Sequence, residues 1–272
     1  MKAVFVTGGA TGTGYAIVQR FAREGYAAVI TSRTASMAEQ AAKAITEEFG
    51  TAAWGFGLQI RDEQRVKDIF AALDAEGVFV ETVVLNAADL GFGTDPAVGM
   101  DFFSVPVEEF GRVLETNLVW NFTIIRQAAL RMRERHKGAV VFIGSNTAYR
   151  AIPNRSAYCA SKGGMLALSR ALAVDLGPYG IRSNVVMPGT IKTKRWESMG
   201  SKQIVSGDLT PIGDISDFED IANAAWFLGS DQSKNVTGTE LAVDGGMSCQ
   251  LYPQVLNELK HRYLTENEEA LL

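Results

Sequence analysis

Short apolar runs alternate with longer amphipathic stretches from residue 3 to about residue 243 of the chain. The runs have the length of buried strands, and the stretches between them repeat apolar side chains at helical spacing. The predicted strands are 3–7, 27–32, 52–57, 79–86, 138–144, 181–187 and 239–243. The predicted helices lie near 13–24, 36–49, 62–76, 107–135, 155–177 and 217–229. This alternation predicts right-handed crossovers and a doubly wound α/β fold, a parallel sheet of about seven strands with helices on both faces.

Two irregular stretches, 88–106 and 189–216, each follow a predicted strand. Because ligands bind beyond the carboxyl ends of parallel strands, both loops are candidates for substrate binding. The apolar residues of the first loop, which either wall a pocket or fold onto the chain itself, are Leu90, Phe92, Val98, Met100, Phe102 and Phe103. The basic residues of the second loop, which either attract an anionic substrate or are solvated, are Lys192, Lys194, Arg195 and Lys202.

The 272 residues contain no repeat, low-complexity segment or linker, so one domain over 1–272 is predicted. Its tail, 250–272, carries apolar residues at helical spacing, so it covers the active site, contacts a neighbouring subunit or frays.

Composition excludes several classes of protein. A net charge of −5 argues against nucleic-acid binding and offers no polybasic patch for a membrane. No apolar run approaches the roughly 18 residues that a membrane span needs, and no signal-type region follows the start of the chain. Two cysteines and two histidines argue against a disulfide framework, a metal site and a histidine-based triad. A cytoplasmic protein is expected.

The first predicted strand runs directly into a glycine-rich turn, Thr7-Gly8-Gly9-Ala10-Thr11-Gly12-Thr13-Gly14, before a helix begins. Glycines let the backbone approach a pyrophosphate, and the helix N-terminus supplies amide donors and a favourable dipole. The candidate cofactor-binding residues in this turn are Gly8, Thr11, Gly12, Thr13 and Gly14. The alternative is a turn that serves packing alone. The absence of Gly-Lys-Ser/Thr excludes a P-loop.

A candidate catalytic pair follows in the second half of the chain. Tyr158 and Lys162 are four residues apart on a predicted helix, so they share one face. A neighbouring ammonium favours the phenolate and is expected to lower the tyrosine pKa towards neutrality. Ser145 directly follows a predicted strand, where its hydroxyl could donate to a substrate carbonyl. By itself a Tyr-x-x-x-Lys spacing is also common on ordinary helix surfaces.

The combined pattern resembles the short-chain dehydrogenase/reductase family in its single-domain form. The resemblance rests on Thr-Gly-x-x-x-Gly-x-Gly and on the order and spacing of Ser145, Tyr158 and Lys162. It covers about residues 3–248. The further matching segments are Asn117, Asn86-Ala87-Ala88, Arg182-Ser183-Asn184, Pro188 to Thr193, Thr237-Gly238 and Asp244-Gly245-Gly246.

The resemblance implies a Rossmann-type fold and hydride transfer between a nicotinamide cofactor and a carbonyl or secondary alcohol. Tyr158 would be the proton donor, Lys162 would lower its pKa and bind the nicotinamide ribose, and Ser145 would polarise the carbonyl. Asn117 would hold a water that relays protons to Lys162. The further cofactor-binding residues implied are Gln59, Ile60, Asn86, Pro188, Gly189, Ile191 and Thr193, with Gln59 and Ile60 beside the adenine.

Related enzymes are usually dimers or tetramers, so a homotetramer or homodimer is expected. The apolar residues predicted to contact a partner subunit are Ala128, Ala129, Leu166, Leu168 and Ala171.

Cofactor choice depends on the turn after the second predicted strand. Residues 31–36 contain no acid to bind a ribose 2′-hydroxyl, whereas Arg33, with Ser32 and Thr34, could bind a 2′-phosphate. NADP(H) is therefore predicted and NAD(H) stays possible, because Thr11 stands where NADP-using relatives often carry a base and Arg33 could be a solvated charge. The sequence predicts an NADP(H)-dependent carbonyl reductase or alcohol dehydrogenase. The alternatives are an NAD-dependent polyol or hydroxysteroid dehydrogenase and a non-catalytic nucleotide-sensing module.

Overall fold

A computed structural model describes residues 1–91, 99–193, 196–197 and 210–251 of the chain. Its strands are β1 (Lys2–Thr7), β2 (Ala27–Ser32), β3 (Ala53–Gly57), β4 (Phe79–Leu85), β5 (Gly138–Ile143), β6 (Ile181–Pro188) and β7 (Glu240–Val243). They form one sheet in the order β3-β2-β1-β4-β5-β6-β7, and every neighbouring pair is parallel. The predicted Rossmann-type α/β fold is confirmed.

Helices pack against this sheet. They are α1 (Gly12–Arg23), α2 (Ala35–Phe49), α3 (Glu63–Ala75), α4 (Val107–Leu114), α5 (Trp120–Arg135), α6 (Ser156–Leu176) and α7 (Phe218–Gly229). Short 3₁₀ turns lie at Asn146–Ala148, Gly177–Tyr179, Asp231–Ser233 and Met247–Cys249. The long helix predicted near 107–135 is interrupted, because a π-helical turn over Glu115–Val119 separates α4 from α5. There the side-chain amide of Asn121 donates to the carbonyl of Asn117, 2.7 Å away, so a side chain takes part in the widened turn.

The core has two layers, one on each face of the sheet. Alternate residues of β1 point to opposite faces, so Phe5 joins the core beneath α3, α5 and α6 while Val6 joins the core beneath α1, α2 and α7. Because helices cover both faces of the sheet, a ligand can contact the strands only where they end.

The first of these cores corrects part of the predicted subunit contact. Ala128 and Leu166 belong to it and are buried within the chain, so they cannot contact a partner. The apolar stripe of a helix that covers a sheet is wide, and both residues fall inside it. Ala129 and Leu168 are partly buried against the same core, and Ala171 is exposed.

Candidate active site

The residues predicted for the cofactor and for catalysis all lie within the described part of the chain. They follow the carboxyl ends of six strands or lie on α1, α6 and the π-helical turn. The residues beyond strands are Gly8 and Thr11 after β1, Arg33 after β2, Gln59 and Ile60 after β3, Asn86 after β4, Ser145 after β5, and Gly189, Ile191 and Thr193 after β6. Ser32 and Pro188 are the last residues of their strands. Carboxyl ends of parallel strands meet at one edge, which is where open α/β sheets bind ligands.

The glycine turn is packed tightly against the end of β4. The side-chain amide of Asn86 donates to the carbonyls of Thr7 (3.1 Å) and Gly8 (3.2 Å). A Cβ on Gly14 would lie 2.2 Å from the Gly8 carbonyl oxygen and 2.6 Å from the Asn86 amide nitrogen. Position 14 therefore requires glycine, because a methyl group there would push α1 away from the turn.

The start of α1 fits a pyrophosphate. Thr11 precedes the helix without a side-chain cap and the first turn contains no acidic residue, so neither occupies the amide donors or opposes an anion at the positive end of the dipole. Gly12 has a φ of +56°, and a Cβ there would meet only the ring of Phe218, 3.7 Å away. The turn thus combines free amide donors with space beside the backbone, as a dinucleotide phosphate requires.

The turn between β2 and α2 presents Arg33 to solvent. The hydroxyl oxygen of Ser32 accepts from the Thr34 amide at 3.3 Å, which leaves its O–H free to donate to an anion. The side-chain amide of Gln59 donates to the Arg33 carbonyl at 2.7 Å. That contact differs from the adenine contact that the family resemblance implies for Gln59.

Ser145, Tyr158 and Lys162 come together between β5 and α6. The Tyr158 hydroxyl is hydrogen-bonded with Ser145, and the ammonium nitrogen of Lys162 lies 5.4 Å from the centre of the Tyr158 ring. Lys162 is 2% exposed and donates to the carbonyl of Ile143 at 2.7 Å. The Ser145 oxygen also accepts from the backbone amide (3.2 Å) and the hydroxyl (2.9 Å) of Thr147, so the position of this oxygen is fixed.

Burial dominates the electrostatics of this cluster. It raises the pKa of Tyr158 to about 12, although the hydrogen bond with Ser145 acts to lower it. Burial also lowers the pKa of Lys162 to about 7. The direction of the Tyr158 pKa is thus opposite to the one expected from the sequence, because burial disfavours the charged form of both groups.

Asn117 ties the end of β4 to α6. Its side-chain oxygen accepts from the Asp89 amide (2.8 Å), and its side-chain nitrogen donates to the Asp89 carbonyl (2.9 Å) and to the Ser161 hydroxyl (2.9 Å). Ser161 in turn donates to the Tyr158 carbonyl at 2.7 Å. Both N–H groups of Asn117 are thus engaged with protein, so its side chain links these segments, and its role in holding a water stays a prediction.

Sequence reasoning missed Ser161 and Asp89 as members of this cluster. Ser161 is buried and lies directly before Lys162, three residues after Tyr158, so its helical spacing was the available signal. Asp89 contributes its backbone, which side-chain identity does not reveal.

The loop after β4 folds partly onto the chain itself. Met100 is buried against Val113 and Ala157, and its amide donates to the Asn154 carbonyl at 3.0 Å. Phe102 and Phe103 are 72% and 94% exposed, with their rings edge to face. The self-packing interpretation thus holds for Met100, whereas Leu90 is exposed and Phe92 and Val98 lie outside the described residues.

The loop after β6 begins with an ion pair. Lys192 lies 2.6 Å from Asp214, which satisfies its charge without an anionic substrate. The other basic residues predicted there, Lys194, Arg195 and Lys202, and the tail from residue 252 onward lie outside the described residues. In the part of the chain that is described, no helix is long and apolar enough to cross a membrane. No group of histidine, cysteine and acidic side chains in that part could hold a metal ion.

A family model described as enoyl-(acyl carrier protein) reductase matches residues 8–248. The chain is 35% identical over 238 residues to the inactive 2-(S)-hydroxypropyl-CoM dehydrogenase 2 of Xanthobacter autotrophicus, covering 84% of this chain and 97% of that protein. It is also 35% identical over 255 residues to the NADP-dependent (R)-specific alcohol dehydrogenase of Lentilactobacillus kefiri, covering 92% of this chain and 97% of that protein.

Solved structures show the same relationship. A crystal structure of a short-chain dehydrogenase/reductase family oxidoreductase from Burkholderia thailandensis matches with a TM-score of 0.80 at 28% identity, covering 95% of this chain and 97% of that one. The matched region includes the glycine turn and the helix that carries Tyr158. The chain therefore belongs to the short-chain dehydrogenase/reductase family, oxidoreductases that act on alcohol or carbonyl substrates with NAD(P).

Proposed function

We propose that this protein is an NADP(H)-dependent carbonyl reductase or alcohol dehydrogenase with Tyr158 as its general acid and base. The observation that carries the proposal is the cluster of Ser145, Tyr158 and Lys162 at the same sheet edge as the glycine turn. A module that only senses a nucleotide has no need of a proton donor held in this way. Because one relative is named inactive, similarity alone does not carry this choice.

When bound, the nicotinamide supplies or accepts a hydride at the substrate carbon. In reduction, Ser145 donates a hydrogen bond to the carbonyl oxygen, and Tyr158 transfers its hydroxyl proton to that oxygen as the alcohol forms. Lys162 then stabilises the phenolate until a proton from solvent, relayed to Lys162 by the water that Asn117 would hold, restores the hydroxyl. Asn117 and Ser161 hold the start of α6, and with it Tyr158, in place relative to β4.

The protonation states favour reduction at neutral pH. A phenol whose pKa is raised to about 12 stays protonated at pH 7, which is the state a proton donor needs. Alcohol oxidation requires the phenolate instead, so its rate is expected to rise with pH.

Arg33 supports the choice of NADP(H). Arg33 directly follows β2 and is exposed, the Ser32 hydroxyl has a free proton, and residues 31–36 contain no carboxylate that would repel a 2′-phosphate. Gly8, Thr11, Gly12, Thr13 and Gly14 would hold the pyrophosphate, and Ile60, Asn86, Pro188, Gly189, Ile191 and Thr193 would contact the rest of the dinucleotide.

The test is the consumption of NADPH and of NADH against ketones, aldehydes, quinones and sugars. The proposal predicts turnover with at least one carbonyl class and a preference for NADPH. Turnover only with NAD⁺ and a polyol or hydroxysteroid would favour the NAD-dependent alternative. Tight cofactor binding without any turnover would favour a nucleotide-sensing module.

We further propose that residues 1–272 act as one domain that assembles into a homotetramer or homodimer through α5 and α6. Phe122, Leu130 and Val174 are 48%, 42% and 75% exposed on these helices. A groove of about 270 Å³ between them carries Arg126 and Arg133 on one wall and Asp175 on the other, which suits an antiparallel second copy. Light scattering at micromolar concentration should give a multiple of the single-chain mass, and a monomer would contradict the assembly.

The cytoplasmic location stays a prediction.

A further inference from the structure

We propose that Gln59 is a positioning residue for cofactor selectivity, which acts by holding the backbone of Arg33 so that the guanidinium faces a 2′-phosphate. The inference rests on the proposed preference for NADP(H) and adds a residue to it. Its basis is the 2.7 Å hydrogen bond from the Gln59 side-chain amide to the Arg33 carbonyl, which joins residues 26 positions apart.

Arg33 needs such a contact because it belongs to neither neighbouring element. β2 ends at Ser32 and α2 begins at Ala35, so the sheet ladder and the helix both leave the Arg33 carbonyl outside their repeating bonds. Gln59 itself is held in place by the end of β3, the neighbouring strand. The amide of Leu58 donates to the Ser32 carbonyl at 2.8 Å, which places Gln59 directly beside the turn.

The orientation of the turn matters more for a phosphate than for a hydroxyl. A guanidinium binds phosphate through directed, paired N–H donors, so its gain in affinity depends on a preset geometry. Loss of the Gln59 contact would let the backbone at Arg33 rotate, and ordering it again would weaken binding of the 2′-phosphate. NADH carries no 2′-phosphate, so its affinity does not depend on the direction of this guanidinium.

An adenine contact by Gln59 predicts a different result. Both cofactors carry the same adenine, so loss of such a contact would weaken NADPH and NADH equally. The ratio of the two affinities therefore separates a role through Arg33 from a role at the base.

The experiment is a double-mutant cycle with Gln59→Met, Arg33→Ala and the double variant, in which calorimetry measures the binding of NADPH, NADH and 2′,5′-ADP. Methionine keeps the length of glutamine but cannot donate the hydrogen bond. Gln64→Met is the matched control, because Gln64 is also exposed and its amide donates to Asp68 on the same helix, α3. Thermal unfolding of each variant checks that the fold is intact.

We expect Gln59→Met to lower the ratio of NADPH to NADH affinity by about 3- to 10-fold, as the loss of one hydrogen bond allows. It should weaken 2′,5′-ADP to a similar degree, have no effect on the ratio when Arg33 is already alanine, and exceed the effect of Gln64→Met. An unchanged ratio in Gln59→Met, or an equal fall in the Arg33→Ala background, would overturn the inference while the preference for NADPH stands. A wild-type protein without that preference would overturn the cofactor proposal and this inference together.

Discussion

The two halves of the sheet's carboxyl edge differ in how their connections are built. On one side, residues 8–11 join β1 to α1 and residues 33–34 join β2 to α2. On the other side, residues 86–106 separate β4 from α4, and residues 189–217 separate β6 from α7. The short connections are held by hydrogen bonds and by glycine geometry, as at Gln59 and Gly14, whereas in the described part of the first long connection Met100 packs against Val113 and Ala157.

This contrast separates the part of the site that would bind the cofactor from the part that would bind the substrate. We call the side with the short connections the short half. There a single hydrogen-bond donor or a single added Cβ is enough to change the shape of a turn, as at Gln59 and Gly14. Dinucleotides share a constant shape that such rigid turns match, while substrates vary and long loops accommodate them. Changes in the short half should therefore act on the cofactor, and changes at the junction with α6 should act on turnover.

The largest change expected in the short half is a reversal of cofactor choice. The unmodified protein should bind NADPH roughly 10- to 100-fold more tightly than NADH, since one charge-assisted bond contributes about 1.5–3 kcal/mol. Ser32→Asp combined with Arg33→Ala should reverse this preference, because the carboxylate accepts from a ribose 2′-hydroxyl and repels a 2′-phosphate. The aspartate can also accept from the Thr34 amide as Ser32 does, which preserves the turn. Calorimetry with both cofactors measures the reversal, and tighter binding of NADPH by the double variant would contradict it.

A substitution at Gly14 is expected to weaken both cofactors and to lower the stability of the fold, without changing the preference between the cofactors. Gly14→Ala places a methyl group 2.2 Å from the Gly8 carbonyl oxygen, so the fold should lose about 1–3 kcal/mol and both cofactors should bind roughly 10- to 100-fold more weakly. Gly111→Ala is the control, because its new methyl group meets nothing within 4 Å on α4. The control should be neutral or stabilising by about 0.5–1 kcal/mol. Equal effects of the two substitutions in denaturant unfolding and calorimetry would argue against the tight turn.

The last effect is a change in stability with pH at the junction with α6, and it is the smallest per step measured. Because burial lowers the pKa of Lys162 to about 7, the unfolded chain binds one more proton than the folded chain between pH 7 and the ordinary lysine pKa of 10.5. Stability should therefore rise with pH across this window, by on the order of 1 kcal/mol per pH unit at most. Lys162→Met should remove this rise and be most stabilising, relative to wild type, at and below pH 7. Urea unfolding at several pH values tests it, with the exposed Lys234→Met as control, and parallel slopes for all three proteins would refute it.

The strands were predictable because buried parallel strands form nearly continuous apolar runs, as in β4 and β5. The π-helical turn at Glu115–Val119 was not, because the bond from the Asn121 side chain to the Asn117 carbonyl leaves no mark on hydrophobic periodicity.

The candidate site also has features that the sequence predicts and features that it does not. Motif spacing predicted that Ser145, Tyr158 and Lys162 come together, because Tyr158 and Lys162 are four residues apart on one helix and Ser145 follows the strand before it. The direction of the Tyr158 pKa and the partner of Gln59 depend on burial and on contacts between distant segments, which spacing alone does not encode.

The most direct test of the account measures turnover and cofactor binding on one variant, Tyr158→Phe. Removal of the proposed proton donor should lower the turnover of carbonyl reduction by about 10²- to 10⁴-fold, while the affinity for NADPH changes little. Tyr179→Phe, on a partly exposed tyrosine before β6, is the matched control and should retain full turnover. Near-normal turnover by a folded Tyr158→Phe protein would contradict the assignment of Tyr158 as the catalytic acid.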